Sequence, residues 1–200
     1  MGNQATEHNF KSKAPNYDIL HLAIHGQADD SLFNTKLIFK NNLDTIEDGL
    51  LYDFELYDLK LKANLVVLSA CETGLGKQFK GEGIYSIARG FAYAGCPSII
   101  MSYWKANDRA TAQVMNHFYK ELTNGKTINR SLRNAKLAYL DQADEFSAHP
   151  ASWAALVPLG DVDKNVYQKE GRLKHFFFFV LGLLIIPFIF LIYSRYMKKS

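Results

Sequence analysis

Two residues in this sequence could together carry thiol acyl transfer: His25, at the end of DILHLAIHG, and Cys71, inside LVVLSACETGLG. A thiol attacks a carbonyl as the thiolate, so it needs a base to take its proton. It also needs donors to hold the oxyanion that forms. The His25 imidazole suits the first task. Glycine has no Cβ and lets backbone N–H groups approach a substrate carbonyl, and Gly26 and Gly74 stand beside the two candidates. Spacing alone leaves a plainer reading open for each. Free cysteines are mostly buried and inert, and a histidine at such a position can be a hydrogen-bonded structural residue.

The same residues offer other chemistry. His21 and His25 are four apart in an extended run, so they face one side, and with Cys71 they offer zinc-type ligands. A fourth ligand is missing and the HExxH helix pattern is absent, so no metal or organic cofactor is expected. His21 is expected inside a core strand with a backbone partner. GLGKQFKGEG lacks the GxxxxGK[ST] order of a phosphate loop and reads as flexible loop. Asp108, after SYWKAN, suits a helix N-cap. Cys96 stands between Gly95 and Pro97 and is expected only to pack. Trp104 and Trp153 suit core or cleft wall.

Strands and helices must hold these groups in place. Tyr17–Gly26 is a nearly continuous apolar run, as is Asn64–Ala70, and such runs suit parallel strands covered on both faces. His25 ends the first and Cys71 follows the second. Lys36–Phe39 is a short strand, Asp48–Leu61 a turn leading into a short helix, and Ser98–Trp104 a third core strand. Ile84, Ile87, Ala88 and Phe91 recur at helical spacing, and Gly95–Pro97 ends that helix. Val114, Phe118 and Leu122 mark a second helix, and Ile128, Leu132, Ala135 and Tyr139 a third. Ala151–Asp161 is expected to be a last strand, and Met1–Pro15 a polar helix remnant or linker. Strands alternating with helices imply an α/β architecture with a mostly parallel sheet, whose ligands gather at the carboxyl ends of the strands.

The composition adds a membrane segment and excludes a nucleic-acid partner. Phe176–Tyr193 has no charged residue and, at about 1.5 Å per residue, would span roughly 27 Å as a helix. The whole chain carries a formal +3, but the basic residues from Arg172 onward supply it, and Met1–Gly171 is slightly acidic. Nothing there resembles a nucleic-acid footprint. Two cysteines make no disulfide framework and suit a reducing compartment. The expected division is a globular domain over 1–161, a linker over 162–174, a transmembrane helix over 175–194 and a basic tail over 195–200. This makes a single-pass, tail-anchored membrane protein with its globular part on the cytoplasmic side.

DILHLAIHG with LVVLSACETGLG resembles the CHAT domain, a bacterial caspase-like family related to caspases and separase. GEGIYSIARGFAYAGCPSIIMSYWKANDRATAQVMNHFYKEL and HPASWAALVPLGD extend the likeness to about Asp161. The resemblance implies a caspase-like three-layer sandwich and a cysteine endopeptidase acting on protein or peptide substrates. It puts the general base at His25, the nucleophile at Cys71, and the oxyanion against the N–H groups of Gly26 and Cys71. Analogy with arginine-directed relatives makes Asp108 a candidate to select a basic substrate residue. The family's sheet has strands ahead of the histidine strand, which here begins near Tyr17, so N-terminal strands are expected to be missing. The family often carries helical repeats upstream, which makes a helical-repeat regulatory partner an expectation. The rival reading is a catalytically silent, membrane-tethered interaction module of the same fold.

Overall fold

The computed structural model describes residues 4–28, 35–40, 47–69, 78–79, 83–84, 87–104 and 107–167. From the N-terminus, α1 (Glu7–Lys13) and a 3-10 turn (Ala14–Asn16) lead into β1 (Ile19–Leu22). Then come β2 (His25–Ala28), β3 (Thr35–Ile38), β4 (Leu50–Tyr52), a 3-10 helix (Phe54–Asp58) and β5 (Leu65–Leu68). The short β6 (Gln78–Phe79) and β7 (Gly83–Ile84) pair with each other before α2 (Ile87–Tyr93). β8 (Ser98–Ser102), α3 (Asp108–Thr123), α4 (Ile128–Leu140), α5 (Pro150–Trp153) and β9 (Leu156–Gly160) complete the order.

The main sheet has the order β1-β5-β8-β9, with β1, β5 and β8 parallel and β9 antiparallel to β8. All four residues of β5 are fully buried. Successive side chains of a strand face opposite ways, so each apolar residue of β5 serves one of two cores. Val66 and Leu68 pack with Ile87 and Phe91 of α2 and with Leu37, Leu51 and Leu56. Leu65 and Val67 pack with Val114 and Phe118 of α3 and Leu132 of α4. The result is a mixed α/β fold with helices on both faces of a mostly parallel sheet. Burying each such side chain is worth about 1.5–3 kcal/mol.

Three stretches differ from the sequence reading. The apolar run Tyr17–Gly26 is not one strand: β1 ends at Leu22, and His25 opens β2 in a separate antiparallel sheet of order β2-β3-β4. The reason lies in the partner. β5 ends at Leu68, opposite Leu22, so the chain has no ladder left to join and pairs with β3 instead. The region around Asp48–Leu61 holds a strand, β4, before its short 3-10 helix. The stretch Ala151–Asp161 begins as α5, with Pro150 at its start and His149 Nδ1 accepting the Ala151 N–H at 3.2 Å, and only then becomes β9.

The N-terminal stretch is an integral helix. Thr6 caps α1 by accepting from Asn9 N–H, and Phe10 packs against Phe39 and Phe91 with ring centroids 5.4 and 6.3 Å away. Residues 162–166, polar in composition, are also fastened down. Asn129 N–H donates to Val162 O at 2.9 Å, and Lys164 Nζ donates to Asn64 Oδ1 at 3.0 Å. Among the described residues, no helix is long and apolar enough to cross a membrane. The expected anchor Phe176–Tyr193 lies outside the described residues.

Candidate functional site

β1 and β5 end side by side, closed by Leu22 opposite Leu68 and by Ser69 N–H donating to Leu22 O at 3.2 Å. At this edge opens a cavity of about 370 Å3, lined by His21, Ile24, His25, Ser69, Asp108 and Met115 among others. Carboxyl ends of parallel strands are where such sheets bind ligands, because the chain leaves the ladder there and frees its loops. A second cavity, about 340 Å3, is lined by Arg109, Gln113, His117 and Ser147 among others and by none of the candidate site residues.

His25 is exposed and faces this cavity from the first position of β2, opposite Ile38. Gly26 is half-buried in the same ladder, opposite Leu37. Asp108 is the first residue of α3 and lines the cavity. It is not the cap: Asn107 fills that role, its side chain accepting Ala110 N–H at 3.1 Å. Cys71 lies outside the described residues, as do Glu72 and Gly74.

His21 departs from expectation. A strand-interior histidine with a backbone partner was expected. Instead its ring bridges two hydroxyl groups from distant parts of the chain. Nε2 lies 2.9 Å from Ser69 Oγ, and Nδ1 lies 3.0 Å from Tyr119 Oη on α3. Sheet alternation explains the direction: His21 pairs with Val67, which faces the α3 and α4 core. The residue keeps one exposed edge, but the protein atoms around the ring disfavour the cation and hold its pKa below the ordinary histidine value. The neutral ring can donate at one nitrogen and accept at the other, and each hydroxyl can take either role. Both ring nitrogens thus have hydroxyl partners.

Cys96 is buried, and its burial pushes the thiol up to about 11. It stays protonated at neutral pH and is therefore a poor nucleophile. Trp104 donates from Nε1 to Ala151 O at 3.0 Å. Trp153 donates to Ala148 O at 3.0 Å and lies under Lys136 Nζ, 5.8 Å from its ring centroid. Both therefore have structural partners.

Another cluster escaped the sequence reading. Glu7, Glu47 and Glu55 bring three carboxylate oxygens within 4.8 Å of one another. The place a cation would take is filled by Lys11 Nζ, 2.6 Å from Glu7, 2.9 Å from Glu47 and 2.7 Å from Glu55. Only the i,i+4 pair Glu7–Lys11 was legible locally. The other two acids arrive from the β3–β4 connection and the 3-10 helix.

Comparison with known proteins agrees with this architecture. The family model described as "CHAT domain" matches residues 1–161. Tetratricopeptide repeat protein 28 of Mus musculus is 31% identical over 121 residues, covering 60% of this chain. The protein of the same name from Homo sapiens is 28% identical over 121 residues. The matched stretch is 5% of each relative's length, so the chain spans a small part of the curated relatives it matches. The bacterial association expected from the family is not mirrored in these two mammalian proteins.

Proposed function

Because the chain belongs to the CHAT domain family, whose model spans residues 1–161, we propose that it is a caspase-like cysteine endopeptidase, with His25 as general base and Cys71 as nucleophile. The observation that carries this reading is His25 opening on the cavity at the carboxyl edge of β1 and β5. Ser69 forms part of that cavity, and Cys71 is two residues further along, so covalent geometry limits their Cα separation to roughly 7 Å.

On this reading His25 takes the Cys71 proton, and the thiolate sulfur attacks the scissile carbonyl. The carbonyl π pair moves to oxygen, and the N–H groups of Gly26 and Cys71 hold that oxyanion. As the C–N bond breaks, His25 returns the proton to the leaving amine and a thioester remains on Cys71. Water, deprotonated by His25, then releases the acid and restores the thiol. Every proton and electron pair in this cycle is handled by side chains, backbone donors and water. Asp108 would pair with a basic substrate side chain, whose aliphatic stem lies against Ile24, Ala112 and Met115.

A second reading has its own support. Both relatives are named for tetratricopeptide repeats, helical-repeat arrays that stack into protein-binding surfaces. That favours a catalytically silent interaction module, tethered through Phe176–Tyr193 and working beside a helical-repeat partner. Cleavage of a mixed library of quenched peptides separates the two readings. The parent should cleave members with Lys or Arg at the cut site. His25→Ala and Cys71→Ala should each abolish cleavage while melting near the parent temperature. No cleavage by the parent, or full cleavage by His25→Ala, supports the silent module.

A further inference from the structure

The backbone ladder between β1 and β5 stops at Leu22 and Ser69, and Ala23 and Ile24 belong to neither sheet. The direction in which His25 is presented therefore depends on how firmly the end of β1 is held. A side-chain tie acts at that end. The His21 ring reaches Ser69 Oγ on one side, at 2.9 Å, and Tyr119 Oη on the other, at 3.0 Å. One rigid ring thus fixes two separations, β1 to β5 and β1 to α3. Ser69 is the residue from which the chain runs on to Cys71, and His21 lies four residues ahead of His25.

We propose that Tyr119, His21 and Ser69 form a positioning relay that sets the edge on which His25 and the chain leading to Cys71 are presented. The inference rests on the cysteine endopeptidase reading above. It assigns none of the three to contact with the reacting atoms; they act through the strand ends. Geometry of this kind matters because a site about 1 Å too loose loses much of its rate. The neutral state of His21 fits the same role. Desolvation disfavours a charge on His21, so the ring serves as a hydrogen-bonding bridge between the two hydroxyls. Tyr119 from α3 and Ser69 beyond β5 hold that ring, and the other titratable residues lining the cavity are His25 from β2 and Asp108 from the start of α3.

The test is the pH–rate profile of Cys71 alkylation by iodoacetamide in the full chain, read by peptide mass spectrometry. Parent, Tyr119→Phe, Ser69→Ala, Ser69→Thr and His25→Ala are compared. Tyr119→Phe and Ser69→Ala each remove one hydroxyl and should raise the inflection by about one unit, slowing alkylation about tenfold at pH 6.5. Ser69→Thr keeps the hydroxyl and should retain the parent profile within about twofold. A merely structural role would lower the melting temperature and leave the profile of the folded protein in place. If His25→Ala raises the inflection but Tyr119→Phe and Ser69→Ala do not, the relay alone is overturned. If parent and His25→Ala share one profile, the endopeptidase reading falls and takes the relay with it.

Discussion

Lys11→Met strips the ammonium that meets all three carboxylates of the cluster fastening α1 to the domain. Lys11 Nζ lies 2.6, 2.9 and 2.7 Å from Glu7, Glu47 and Glu55. The Glu7 side chain is 1% exposed, and its other oxygen accepts Gly49 N–H at 3.0 Å. Stranding a buried charge costs about 3–5 kcal/mol. Lys11, Glu47 and Glu55 keep some exposure, and water screens them, so we expect a loss of about 3 kcal/mol at pH 7. At roughly 2–4 °C per kcal/mol for a chain of this size, Tm falls by about 6–12 °C.

The sign of the pH dependence follows from the partners. Burial alone would lower the Lys11 pKa, but the bonds to Glu55, Glu7 and Glu47 outweigh it and raise the value. Its contribution is therefore complete below the ordinary lysine range and is lost as pH climbs through the raised value. The Lys11 bond lowers the Glu47 pKa, so that contribution is present above the ordinary carboxylate range and fades as pH falls through the lowered value. Burial raises the Glu7 pKa against the pull of Lys11, so ionised Glu7 costs stability that returns as pH falls through the raised value. Both acid-side effects shrink the penalty of losing Lys11. Urea denaturation followed by circular dichroism should show a smaller loss at pH 4 than at pH 7, and Glu7→Gln should restore part of the stability of Lys11→Met. A loss below about 1 kcal/mol at pH 7, or an equal loss at both pH values, would refute the reasoning.

Gly90→Ala improves helix propensity but places a Cβ 2.7 Å from Leu56 Cδ1 and 2.9 Å from the Asp53 carbonyl. We expect a net loss of about 1–3 kcal/mol in urea denaturation, and a stabilised variant would contradict the packing of α2 on the 3-10 helix. The full chain is expected to pellet with membranes through Phe176–Tyr193 and resist carbonate extraction, whereas a chain ending after Tyr167 should stay in the supernatant. Membrane retention of the shortened chain would remove the anchor.

How much of this was legible depended on whether the cause was local. LVVL and SIIMS announce buried parallel strands because both of their faces must be apolar. The spacing of Val114, Phe118 and Leu122 announces α3 because one face of a helix meets the core. The break after Leu22 was not legible. LHLAIH is apolar apart from its two histidines and carries no break signal, and where the strand ends is decided by the length of β5, far along the chain. The His21 bridge was hidden for the same reason, since its partners lie 48 and 98 positions away. Alternation gave a partial signal, because His21 must point opposite to the buried Leu20 and Leu22. The stretch holding α1 could be read only as a polar helix remnant or linker, because most of its residues are polar. Thr6 ahead of Glu7, with Phe10 as the apolar anchor, was the available clue. The family resemblance reached His25 and Cys71, while the described structure carries the argument from His25 as far as Ser69.

On the endopeptidase reading, Cys71 is an ionisable nucleophile paired with His25. The direct measurement is the rate of iodoacetamide alkylation at pH 6.5 of Cys71 and Cys96 in one sample of folded protein, with free glutathione as reference. Cys96 is the internal control, because burial pushes its thiol up to about 11. Cys71 should react at least about tenfold faster than both, and His25→Ala should remove the advantage. A Cys71 that reacts no faster than glutathione, and equally in His25→Ala, would contradict it and leave the tethered module as the function of this fold.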